Sequence, residues 1–147
     1  MDRRLRARTM LVLLGVLAIA LISCDRPVSM RPGDEHGVPL LTFARTGGIA
    51  GFQDRLVIGD SGEYYVAQSS QELIGTLSAE RRTQLESWRD SFAPFTLKLE
   101  DNPGGPDNMV RELILQGLGK TNAGEQKQQE LLDWVTSLFA ELTAAGR

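Results

Sequence analysis

The sequence predicts an α+β domain, in which two amphipathic helices cover one face of an antiparallel sheet of four to five strands. Three observations lead to this prediction. Short runs of strand-like residues cluster between residues 40 and 68. Two later segments repeat apolar residues at helical spacing. Two further strand-like runs lie between those segments.

The early strands form a predicted three-stranded meander. Residues 40–45 alternate weakly between apolar and polar, and residues 52–68 read as a hairpin. The turn of this hairpin is the sequence DSGE at residues 60–63. Aspartate and serine side chains can bond their own backbone there, and glycine permits a positive φ.

The first helix is predicted to begin after Ser78, which can act as the N-cap, and to stop at Pro94. Glu80 in the first turn favours the helix dipole. One face of the helix is apolar and consists of Leu85, Trp88 and Phe92. Residues 95–99 and 109–116 then read as strands on either side of a loop.

The second helix is predicted near the C-terminus by an apolar stripe made of Leu131, Leu132, Val135, Leu138, Phe139 and Leu142. Asn122 and Glu125 have the spacing of a capping box at its start. The stripe fits a face packed into the core. A membrane-binding or partner-binding helix is the alternative.

The first 23 residues predict a signal peptide. Arg3, Arg4, Arg6 and Arg8 precede an uncharged apolar run over residues 10–22. A helix of that length reaches only about 20 Å, which is too short for a hydrocarbon core of about 30 Å. We therefore expect a targeting segment that is removed, and an exported protein.

The signal ends in LISC, residues 21–24, which resembles a bacterial lipobox. The resemblance implies that the chain is cut before Cys24, that this cysteine is acylated, and that it anchors the protein in the lipid bilayer of the cell. Cys24 is the only cysteine, and lipidation explains a lone thiol in an exported chain. An ordinary free cysteine is the alternative. Asp25 resembles a signal for inner-membrane retention, but the choice between inner and outer membrane stays open.

Residues 24–39 are rich in proline and glycine, which predicts a flexible tether after the lipidated cysteine. An N-terminal arm packed on the domain is the alternative. Residues 40–147 then form the folded domain, which is long enough to bury its own core.

Composition excludes several classes of function. Without the signal the net charge is about −6, which argues against nucleic acid as a partner. The only histidine, His36, lies in the predicted tether. The domain therefore has no catalytic triad and no Cys/His zinc site, and we expect neither an enzyme nor a cofactor.

Two weaker motifs are explained more simply by ordinary loops than by ligand-binding sites. The Gly119–Thr121 segment reads GKT, but Ile114 stands where a phosphate-binding loop needs its first glycine, so we expect a turn and no nucleotide. Glu100, Asp101 and Asp107 could offer oxygen ligands to Ca²⁺. Their spacing matches no known calcium loop, and a solvated acidic loop is the simpler interpretation.

The stretch FARTGGIAGF, residues 43–52, joins two predicted strands. Glycines at this spacing fit a tight turn with positive φ angles. The same stretch is also a candidate partner-binding surface, comprising Thr46, Gly47, Gly48, Ile49, Ala50 and Gly51.

Residues 45–51, RTGGIAG, resemble the signature of the emfourin family of protein inhibitors, which runs approximately Arg-Ser-Gly-Gly-Phe-Ala-Gly. The departures are Thr46 for serine and Ile49 for phenylalanine. The later order of elements, ending in LLDWV at residues 131–135, is also similar. This resemblance implies a non-catalytic inhibitor of thermolysin-like metalloproteases. A lipid-tethered envelope module that binds another partner is the alternative from a different class.

Overall fold

The structure, a computed structural model, describes residues 38–146 as six strands and two helices. In chain order these are β1 (Leu41–Gly47), β2 (Phe52–Ile58), β3 (Glu63–Gln68), β4 (Gln71–Thr76), α1 (Ala79–Ser91), β5 (Phe95–Glu100), β6 (Met109–Leu115) and α2 (Glu125–Ala145). The expected signal peptide over residues 1–23, the lipidation site Cys24 and the tether up to residue 37 lie outside the described residues.

All six strands form one antiparallel sheet in the order β4-β3-β2-β1-β6-β5. The predicted α+β class is confirmed. The sheet has six strands, whereas four to five were expected. The first four strands form a meander, and the β5–β6 hairpin joins it by pairing β6 with β1. Strand β1 therefore has a neighbour on each side and lies inside the sheet.

The unexpected strand is β4, at one edge of the sheet. It follows β3 after only Ser69 and Ser70, and Ser69 adopts a left-handed φ of 55° without being glycine. Only Leu73 of this strand packs against the core. The turn has no glycine or asparagine, the residues that usually predict a two-residue hairpin turn. The strand also has no strongly apolar face that would predict it from sequence.

The core lies between the two helices and one face of the sheet. Strands and helices contribute side chains that are less than 2% exposed, among them Leu41, Phe43, Leu56, Ile58, Val66, Leu85, Leu113, Leu115, Leu131, Leu132, Val135 and Leu138. The rings of Phe43 and Phe139 meet edge to face at 5.9 Å. Burying each such side chain contributes about 1.5–3 kcal/mol.

The apolar stripe of α2 is therefore part of the core, as expected from its spacing. This leaves no apolar face of α2 for a membrane or a partner. Within residues 38–146, no helix combines the length and the apolar character needed to cross a bilayer.

The N-termini of the two helices are capped differently. The Ser78 hydroxyl accepts a hydrogen bond from the Arg81 backbone N–H at 3.3 Å, which confirms this N-cap. The capping box predicted for Asn122 and Glu125 is wrong. Gly124 is the N-cap of α2 and offers no side chain, so Asn122 lies two residues too early to reach the first turn.

A part-buried ion pair connects β1 and β2 near the end of the core. Arg45 donates from Nε and Nη2 to Asp54 Oδ2, at 2.9 Å and 2.5 Å. The Asp54 side chain is fully buried, and that of Arg45 is 28% exposed. The guanidinium also lies over the ring of Phe52, at 4.8 Å from its centre. Arg45, the first residue of the RTGGIAG stretch, thus has a structural role.

We expect Asp54→Ala to lower the free energy of unfolding by about 3 kcal/mol, because it leaves the Arg45 charge inside the fold without its partner. Urea denaturation of the purified domain measures this. Glu86→Ala is the matched control, since Glu86 pairs with Arg82 at the surface of α1 and such pairs contribute about 0.5 kcal/mol. Equal losses in the two variants would contradict the structural role of the part-buried pair.

Candidate interaction surface at the glycine turn

Three connections lie at one end of the sheet, and we call this end the loop end. They are the β1–β2 turn over residues 48–51, the β3–β4 turn over residues 69–70 and the β5–β6 loop over residues 101–108. The antiparallel pairing of the strands places all three at the same end. The six residues predicted to bind a partner, Thr46 to Gly51, form one part of this end.

Gly47 and Gly48 join the turn to the neighbouring loop. Their φ angles are 94° and 72°, in the left-handed region. The Gly48 N–H donates to the Asn108 carbonyl at 2.8 Å, and a Cβ on Gly47 would lie 2.3 Å from that same oxygen. Both glycines are therefore needed by the architecture of the loop end.

The tip of the turn faces solvent. Its backbone closes through the Gly51 N–H, which donates to the Gly48 carbonyl at 3.0 Å, with Gly51 at a φ of 64°. The Ile49 side chain is 88% exposed, the highest value among the exposed large hydrophobic residues of the described range 38–146. The adjacent Ala50 is exposed as well. The turn thus presents an apolar side chain on a backbone that is fixed at its base.

The carboxylates considered as calcium ligands bind separate partners. Glu100 pairs with Lys98 at 2.9 Å, Asp101 pairs with Arg111 at 2.7 Å, and Asp107 accepts a hydrogen bond from Asn102. The contact with Lys98 lowers the pKa of Glu100 below its usual value. Across residues 38–146 no three potential metal ligands cluster.

The face of the sheet opposite the helices carries a pocket of about 600 Å³ beside the turn. None of the described helices covers this face, as is common in antiparallel sheets. The pocket is lined by Ala44, Thr46, Gly47, Gly51, Phe52, Gln53, Asp54, Arg55, Val57, Tyr65 and Ala67. Three of the residues predicted from the glycine stretch, Thr46, Gly47 and Gly51, therefore border both the turn and the pocket.

The pocket itself is a feature that the sequence did not reveal. Arg55 and Val57 alternate with core residues in β2, which indicates a second face of the sheet. Their neighbours there, Ala44 and Tyr65, follow only from the registers of β1 and β3 against β2. The Tyr65 hydroxyl donates to Glu72 at 2.7 Å and thereby fixes one wall.

The GKT segment lies at the other end of the sheet, where Gly119 and Lys120 form a bend and Thr121 makes an isolated β-bridge with Phe92. The Gly119 N–H donates to the carbonyls of Arg89 and Phe92 at the end of α1. A Cβ on Gly119 would lie 2.3 Å from the Ser91 carbonyl carbon. Close packing against α1 therefore accounts for this glycine.

Comparisons of the chain with protein-family models, with curated proteins and with solved structures found no match. The resemblance of residues 45–51 to the emfourin signature accordingly stays a prediction from sequence.

We expect Gly47→Ala to lower the free energy of unfolding by about 3 kcal/mol, since it combines a left-handed φ with a clash against the Asn108 carbonyl. Gly51→Ala is the control. Its φ is also left-handed, but a Cβ there meets no atom within 4 Å, so we expect only the conformational cost of about 1 kcal/mol. Thermal and urea unfolding measure both variants, and a Gly47→Ala loss no larger than that of Gly51→Ala would exclude the close approach.

Proposed function

We propose that this chain is a membrane-anchored bacterial lipoprotein whose domain inhibits thermolysin-like metalloproteases by binding them, without chemistry of its own. The observation that carries the proposal is the exposed Ile49 on a turn held at its base by the contact of Gly48 with Asn108. The resemblance of this turn to the emfourin signature supplies the class of target.

A fixed turn suits an inhibitor for a thermodynamic reason. Binding is opposed by the entropy lost when a loop becomes ordered, and a turn that already has its bound shape avoids much of that loss. An apolar side chain at the tip can then act as the anchor that fills a pocket in the target. In the proposed complex Ile49 enters the cleft, and Thr46 to Gly51 form the contact with the protease.

Membrane attachment rests on Cys24 at the end of the lipobox. Each buried CH₂ of an acyl chain contributes about 0.8 kcal/mol, so two or more chains hold a protein firmly at a bilayer. The expected location is therefore the exported side of the bacterial cell membrane, with the lipid bilayer as a permanent partner.

A second candidate is a lipid-tethered envelope module that binds a partner other than a protease. The pocket of about 600 Å³ beside the turn favours it, because a concave site on an open sheet face can accept a side chain from many kinds of protein. This candidate uses the same anchor and the same end of the domain.

The inhibition is tested with the soluble chain over residues 25–147, titrated against a panel of thermolysin-like metalloproteases. We expect inhibition at submicromolar concentration. Ile49→Asp should weaken it at least tenfold, because a carboxylate would enter an apolar site. Leu118→Asp is the matched control, since Leu118 is 75% exposed and follows β6 at the opposite end of the sheet.

Two results would change this assignment. Inhibition that Ile49→Asp leaves intact would remove the turn tip from the interface. A panel without any inhibited protease at micromolar concentration would reject the protease assignment for that panel and favour the envelope module.

The anchor is tested with the full-length chain in a bacterial host. We expect the wild type to incorporate labelled palmitate and to partition into the detergent phase of a Triton X-114 separation. Cys24→Ser should abolish the labelling, because the acceptor thiol is absent. Labelling that persists in Cys24→Ser would contradict the lipobox interpretation.

A further inference from the structure

Arg55 differs from the other arginines of residues 38–146 because it forms no ion pair there. The remaining arginines each have a carboxylate within 3 Å, namely Arg45, Arg81, Arg82, Arg89 and Arg111. Arg55 is exposed and lines the pocket on the open face of the sheet. An exposed cation thus lies beside a concave surface, in a domain that is acidic overall.

The surroundings of Arg55 within the pocket are mostly apolar. Ala44 and Ala67 are its neighbours on the adjacent strands, and Val57 is the next residue of β2 on the same face. A partner that fills this space removes water from the guanidinium. Such a partner must replace the lost hydration with an acceptor, and a carboxylate does so through two parallel hydrogen bonds.

The charge of the pocket determines how many carboxylates it can pair. Glu112 lies in the same row across the sheet as Arg55, two strands away, which corresponds to about 10 Å. The Debye length at physiological salt is about 8 Å, so this carboxylate is largely screened from Arg55. Among the residues that line the pocket, Arg55 alone is cationic, and one cation with mostly apolar neighbours matches one carboxylate between apolar side chains.

We propose that the pocket binds a protein segment that presents a single carboxylate between apolar side chains, with Arg55 as the ion partner of that carboxylate. The inference rests on the proposed function, in that this segment belongs to the protein that the turn over residues 48–51 contacts. The turn and the pocket then form one continuous interface, joined by Thr46, Gly47 and Gly51.

The segment is represented in the test by the peptide acetyl-Leu-Asp-Val-amide, with acetyl-Leu-Asn-Val-amide as its uncharged analogue. Both are titrated into the methyl-labelled chain over residues 25–147 and followed by NMR. We expect the methyl signals of Ala44, Ala67 and Val57 to shift and to saturate in the millimolar range with the aspartate peptide. The asparagine peptide should bind at least tenfold more weakly.

A matched pair of variants separates the pocket from general charge effects. Arg55→Gln removes the proposed ion partner. Lys98→Gln removes the same charge from the same face and the same row, three strands away, outside the pocket. We expect Arg55→Gln to lower peptide affinity about tenfold and Lys98→Gln to change it less than twofold. Equal affinity for both peptides, equal effects of both variants, or no methyl shift would overturn the inference.

A protease assay then distinguishes this inference from the proposed function. On a protease that the wild type inhibits, Arg55→Gln should raise the inhibition constant about tenfold at low salt, and the difference should narrow as salt screens the pair. A panel with no inhibited protease rejects the proposed function, while the peptide titration still decides the pocket. Inhibition that Arg55→Gln leaves unchanged overturns the inference alone.

Discussion

The pairing of β1 with β6 is the interaction on which the rest of the structure depends. Every residue of β1, from Leu41 to Gly47, has a register partner in β6. This ladder unites the β1–β4 meander with the β5–β6 hairpin, which is distant in sequence. It also places the loop over residues 101–108 against the glycine turn, because both lie at the end where Gly47 faces Met109. Without this pairing the sheet would divide into two parts, and neither part would have the complete face on which α1 and α2 pack.

The two faces of the sheet have different roles because the helices cover only one of them. Odd-numbered positions of β1 such as Leu41 and Phe43 are buried under α1 and α2 and contribute to stability. The intervening positions, such as Ala44 and Thr46, face the open side and line the pocket. The same alternation in β2 separates Asp54, which pairs with Arg45 inside the fold, from Arg55, which is exposed and lines the pocket. A strand period of two residues thus places core residues and pocket-lining residues side by side in the chain.

The sequence predicted the parts of the fold whose signals are local. The α2 stripe, the Ser78 cap and the hairpin over residues 52–68 each depend on a few neighbouring residues, and the structure contains all three. Strand β4 was not predicted, because its turn has a serine at positive φ and its side chains are mostly exposed. At the candidate site, the tight turn and its positive φ angles follow from the glycine spacing. The exposure of Ile49 does not, because an apolar side chain at a turn can also tuck into the edge of the core. The contact of Gly48 with Asn108, the ion pair of Arg45 with Asp54, and the pocket around Arg55 depend on register between strands, which no local pattern specifies.

The direction of β1 has a consequence for how the domain would meet its partner. The chain enters the sheet at Leu41, and the glycine turn begins at the far end of the same strand, about 20 Å away. With Cys24 acylated as proposed, the anchored segment would join the sheet at the end opposite Ile49. The segment between Cys24 and Val38 can span at most about 50 Å, so the turn explores only a thin layer above the bilayer. Confinement to such a layer would raise the effective concentration of the domain toward any target that passes there. A modest intrinsic affinity would then be enough to occupy targets close to the membrane.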